Sequence, residues 1–289
     1  MGDMRRRLAA LVLVLVAAVP STAAGAERSG TPAWLAAVNR YRAQAGLPPV
    51  TEDPALSAAD ALHARYMVRN NVVSHHEDPS LPYFSERGDT AAENSNVIGG
   101  PPRRVPDHVL IDFWMTGPFH ALGILRSDLE TVGYSIAHDD KGMKTAAALD
   151  VGSGRNPDSE ITEPVVWPGD GTTVRLRAYI GGEWPNPLSS CEGYEPPAGL
   201  PILFQLPSDP QVTSYSLTDS SGRELDVCEV DASNYSNDKA SQEEYAKTEL
   251  GDANAAFLIP RRPLKPGETY TATLTSNGET TTTTFTIAD

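Results

Sequence analysis

The sequence predicts an α+β domain followed by an all-β sandwich. Three observations carry that class. Between residues 31 and 154, apolar side chains recur at helical spacing and then give way to two alternating segments. Between 165 and 289, short alternating segments are separated by Gly, Pro and Asp clusters. The two cysteines, Cys191 and Cys228, both fall in that second stretch.

The chain opens with a pattern of its own. Arg5, Arg6 and Arg7 precede an unbroken apolar run from Leu8 to Val19, and Pro20 stops the run. Such a run is too short to span a bilayer core but suits the apolar region of a secretory signal. Ala24-Gly25-Ala26 fits a small-residue cleavage site. Residues 1–26 are therefore expected to be a signal peptide, with the mature chain starting near Glu27. No cysteine directly follows the apolar run, no second run has spanning length, and Phe285–Asp289 carries no anchor signal. The expected location is secreted and extracellular, with no membrane span after cleavage.

In the first part, Thr31 and Pro32 read as N-cap and first-turn residues of a helix holding Trp34, Val38, Tyr41 and Ala45, with Gly46 as its C-cap. A second helix is expected from about Ser57 to Asn70, with Leu56, Ala59, His63 and Met67 along one stripe. A third starts near Asp107 and carries Leu110, Phe113 and Trp114, and a short helical turn is expected around Phe119–Leu125. Thr131–Ala137 and Lys144–Val151 read as strands joined by a hairpin at His138–Gly142. Helices on a small antiparallel sheet make an α+β domain. Arg155–Pro164 reads as a linker.

In the second part, Thr172–Ile180 alternates, with Val174, Leu176, Ala178 and Ile180 on one face. Ile202–Leu206, Val212–Leu217, Ala255–Ile259, Thr269–Thr275 and Thr281–Ile287 are further strand candidates. The threonine run at 280–284 reads as an edge strand. Asn234–Gly251 is polar and acidic, a long loop with a short helix. Two cysteines in an exported chain most simply pair with each other. The change of periodicity across the linker predicts two parts that fold separately.

The whole chain has a formal charge of −15, and removal of residues 1–26, at net +2, leaves about −17. That balance argues against nucleic acid, or an anionic lipid surface, held by general electrostatics.

Chemistry is sought in three groups of the first part. Ser74-His75-His76-Glu77 follows the second helix, Glu93-Asn94 stands further on, and Thr116-Gly117-Pro118-Phe119-His120 follows Trp114. Imidazole serves as a base or a metal ligand near neutral pH, and a carboxylate can orient it or share a metal. The bland reading is that each group caps a helix or anchors a loop. His63, on a buried stripe, reads as a structural core histidine. Ser74 reads as a cap or turn residue, since no Gly-x-Ser-x-Gly elbow is present.

The ordered set of motifs resembles the CAP superfamily of cysteine-rich secretory, antigen 5 and pathogenesis-related 1 proteins (the SCP domain). The likeness rests on Leu35–Arg42, Gly46–Val50, Ala59–Ala64, Ser74-His75, Glu93-Asn94, Phe113–Met115, His120–Leu125 and Thr131–Tyr134. It covers about 31–154 and is similar to the bacterial branch. It implies an α-β-α sandwich and a cavity built from two histidines and one or two glutamates. That cavity holds a divalent metal, such as Zn, in some members. Carried over, the candidate catalytic or metal-ligating residues are His75 (with His76 as alternate), Glu93 and His120. Animal and plant members have a second glutamate three residues after the Trp. Here that position is Gly117, so three ligands are expected rather than four.

Arg261–Tyr270 resembles the run into a late strand of bacterial immunoglobulin-like (Ig-like) modules. The domains expected are thus 1–26 signal peptide, 31–154 CAP-like, 155–164 linker and 165–289 Ig-like β-sandwich. The resemblance implies a non-enzymatic secreted protein that binds a lipid-like ligand or a cell-envelope partner. The alternative is a hydrolase using the His–Glu–His trio, with or without metal.

Overall fold

The computed structural model describes residues 30–289. The expected signal peptide lies outside the described residues. The first part contains α1 (Ala33–Gln44), β1 (Thr51–Glu52), α2 (Pro54–Asn70), α3 (Glu86–Asn94), β2 (Ser95–Gly99), α4 (Asp107–Trp114), α5 (Pro118–Leu125), β3 (Thr131–His138) and β4 (Thr145–Asp150).

Its sheet runs β1-β3-β4-β2, with β1 parallel to β3 and the other pairs antiparallel. All six residues of β4 are buried, because helices cover both faces. Ala147 and Leu149 join the core formed with α1, α4 and α5, while Ala146 and Ala148 face Tyr66 and Met67 of α2. Alternation along one strand thus feeds two apolar layers. The layering is α-β-α, as the resemblance implies. At Gly133 of β3 a Cβ would stand 2.5 Å from the Leu56 backbone carbon, so only glycine lets this strand lie so close to the start of α2.

The helix ends differ in detail from expectation. Pro32 itself is the cap residue of α1, and no side chain caps it there. The second helix begins three residues early, because the Asp53 carboxylate accepts from Ala55 N and Pro54 opens the first turn. Helix α3 was not anticipated. Its sequence offers only Ala91 and Ala92 as apolar residues, so there is no stripe to read.

The second part contains β5 (Val165–Trp167), β6 (Thr173–Val174), β7 (Ala178–Tyr179), β8 (Ala198–Gly199), β9 (Ile202–Gln205), β10 (Val212–Asp219), β11 (Val227–Asp231), α6 (Ala240–Asp252), β12 (Ala255–Pro260), β13 (Thr269–Ser276) and β14 (Glu279–Ile287). Two four-stranded sheets run β10-β13-β14-β6 and β11-β12-β9-β5, and β7 pairs with β8. The threonines of β14 face those of β13 as hydroxyl pairs 2.9–3.2 Å apart, for example Thr271 with Thr284. Cys191 and Cys228 are bonded to each other.

One expected strand is corrected. Thr172–Ile180 is not continuous: β6 pairs with β14 and β7 pairs with β8, in different sheets. The chain must leave one sheet for the other, and the side-chain parity breaks. Tyr179 is therefore buried, and Ile180 is 57% exposed.

Residues Pro32–Asp289 form one unit. The chain is packed across the 155–164 stretch. Phe119 of α5 meets Tyr235 and Phe257 edge-on at 5.8 and 5.7 Å. Tyr41 of α1 meets Trp167, and Gln205 donates to the Leu125 carbonyl at 2.7 Å.

Candidate functional site

The loop Ser74–Glu77 is pinned at both ends by one side chain. His63 of α2 is fully buried, with Nε2 2.9 Å from the Ser74 carbonyl and Nδ1 3.1 Å from Glu77 Oε1. Both ring nitrogens meet acceptor oxygens, which matches the core role expected for His63. The Glu77 carboxylate also accepts from Ser85 N at the start of α3. His75 and His76 are thereby presented between two fixed points.

The two neighbours then diverge. His75 turns inward and its Nδ1 lies 3.2 Å from the Ala92 carbonyl, to which it donates. Burial, and then the nearby His120, push its pKa down to about 4, so the ring is neutral at neutral pH. His76 turns outward, with a side chain 72% exposed and Nδ1 3.3 Å from Glu93 Oε1.

His120 sits in the first turn of α5, after Gly117 and Pro118. Its Nδ1 donates to Glu183 Oε1 at 2.8 Å, and its backbone N–H donates to the same oxygen at 2.8 Å. Asn96 of β2 donates to its carbonyl.

His75, Glu93 and His120 line one cleft of about 140 Å³, together with Asn94, Asn96, Arg126, Arg155, Trp184, Tyr245 and Glu249. A second cavity adjoins it, lined by Val73, Val97, Gly182 and Trp184, and shares His75, His120 and Trp184 with the first. The expected trio is thus brought to one cleft.

It does not form one tight ligand set. Among the described residues, the group whose ligand atoms all lie within 4.8 Å of one another is His76, Asp89 and Glu93, at the exposed rim. Glu93, with a half-exposed side chain, pairs instead with the alternate histidine, His76. In the cleft proper, the two imidazoles remain, each with Nδ1 engaged by an acceptor. Neutral imidazole with an oriented Nδ1–H is the form that ligates a metal through Nε2. Glu93 pairs with the alternate His76 and so, as placed, does not complete a three-ligand set with His75 and His120.

Sequence reasoning missed Glu183, Trp184, Tyr245 and Glu249. Each lies more than 60 residues beyond His120, and nothing local marks it as facing that residue. Trp184 packs on His75 with ring centroids 5.9 Å apart and on Tyr245 at 5.1 Å. Burial pushes the Glu249 carboxyl upward, while Arg126 and Arg155 oppose this.

Residues 35–150 match the family model described as CAP, the cysteine-rich secretory protein family. The matched segment is similar to that family, and it holds His75, Glu93 and His120 but not Glu183 or Trp184. No match to a curated protein was found.

Proposed function

We propose that this CAP-like segment belongs to a secreted, non-enzymatic protein that binds an amphipathic, lipid-like ligand. The observation that carries the reading is the pair of adjoining cavities. One is polar, with Glu93, Asn96, Arg126 and Arg155. The other presents Val73, Val97 and Trp184. His75, His120 and Trp184 stand where the two meet, so a polar head and an apolar chain each find a matching wall. Val73 is 47% and Trp184 42% exposed, leaving apolar surface to be covered.

Export is supported by the basic and apolar pattern of residues 1–26 and by the Cys191–Cys228 bond. No helix among the described residues is long and apolar enough to cross a membrane. The second part, read as an Ig-like module of bacterial type, carries the loop and helix that cover the cleft. An envelope or extracellular partner is the expected setting.

The test is binding of a fluorescent long-chain fatty acid, alongside mass spectrometry of small molecules that co-purify. Covering about 50 Å² of the Trp184 ring is worth about 1.3 kcal/mol. Trp184→Ala should therefore weaken binding about tenfold. Wild-type protein with no affinity for the probe, and no co-purifying lipid, would sink the reading.

A second reading, a metal-assisted hydrolase, is favoured by one observation: both cleft imidazoles have Nδ1 held by an acceptor. A bound divalent ion would supply Lewis acidity there, and His75 and His120 would hold it. A stoichiometric divalent metal in the native protein supports this alternative.

A further inference from the structure

Glu183 is the most unusual charge near the cleft. Its side chain is 2% exposed. One oxygen, Oε1, takes both hydrogen bonds from His120, while Oε2 is buried with no partner among the described residues. Burying a carboxylate with one bare oxygen costs folding free energy, and such a group calls for an explanation.

Its approach depends on a glycine. A Cβ at position 117 would lie 2.6 Å from Glu183 Oε1 and 2.7 Å from Cδ. Gly117 is the cap residue of α5 and has no side chain to cap with. The Glu183 carboxylate occupies that space and accepts from the third helical N–H, as a cap side chain would. Gly181 and Gly182, at φ +90° and +86°, make the turn that delivers it. The next residue, Trp184, lies on the ring of His75. One four-residue loop outside the CAP-like segment therefore touches both cleft histidines.

We propose that Glu183 is a positioning residue of the cleft. It fixes His120 with its proton on Nδ1 and so leaves Nε2 as a lone-pair acceptor for a ligand's hydrogen-bond donor or cation. The CAP-like segment's site is then completed by a carboxylate from the following part of the chain. The inference stands on the surroundings of His120 and is independent of what occupies the cleft.

The rival role is simple helix capping, and the test must separate the two. In Glu183→Ala combined with Gly117→Ser, the serine caps α5 from within the chain. Long-range ¹H–¹⁵N spectra of the full chain at neutral pH read the His120 tautomer directly. The wild type and Glu183→Gln, which keeps the acceptor oxygen, should both show a single form protonated on Nδ1. The double variant should fold with wild-type helix content, yet show His120 exchanging between tautomers. A double variant whose His120 keeps the wild-type nitrogen shifts would overturn the proposal, leaving Glu183 as a cap. A wild type with its His120 proton on Nε2 would overturn it equally.

Discussion

Asp60 allows a pH-dependent stability to be worked out in advance. It lies on α2, fully buried, and accepts from Ser95 Oγ at 2.9 Å and from Asp150 N at 3.2 Å. Burial pushes its pKa from 3.8 up to about 7, and the neighbouring Asp150 adds to this. A folded-state pKa above the unfolded one means that the native protein binds more protons between the two values. The stability this carboxyl contributes is present in full below pH 3.8 and is lost as the pH rises through about 7. A gap of roughly three pH units corresponds to about 4 kcal/mol.

Other groups titrate in the same window, some with opposite sign, as His75 does with its lowered pKa. The comparison is therefore between the wild type and Asp60→Asn. The amide keeps the Ser95 bond but loses the one from Asp150 N, a fixed cost of about 1 kcal/mol. Asp60→Asn should be less stable by about 0.5 kcal/mol at pH 4 and more stable by about 3 kcal/mol above pH 8. Urea unfolding at several pH values, followed by far-UV circular dichroism, measures the difference. A stability difference that does not change between pH 4 and pH 8 would refute the reasoning, because Asp60 would then titrate as an ordinary carboxylate.

Two further outcomes are expected. Phe119→Ala removes the ring that meets Tyr235 and Phe257 and should cost about 3–5 kcal/mol. Because that ring joins the two parts, tryptophan fluorescence and circular dichroism should report a single transition. Two well-separated transitions in the wild type would instead show parts that fold alone. Replacing both Cys191 and Cys228 by serine opens a span of 37 residues. Calorimetry should register a loss of about 4 kcal/mol by the chain-entropy account, and no loss would rule that account out here.

The sequence by itself determined the helices with an apolar stripe, α1, α2 and α4, and the strands with clear alternation, β13 among them. Those signals are local, since burial of one face imposes its period on consecutive residues. It also determined that His75, Glu93 and His120 belong to one region, through motifs read in order. Tertiary structure alone decided the rest. Helix α3 has no apolar stripe and exists because Ser85 caps it and Glu77 anchors its start. The break in Thr172–Ile180 arises because two sheets claim its ends. The pairing of Glu93 with His76 depends on where α3 points, which no residue spacing encodes. Glu183 reaches His120 across 63 positions, through a space left open by the missing side chain of Gly117. A vacancy at one residue and a carboxylate at another become one feature only when the chain has packed, because nothing in either local sequence depends on the other.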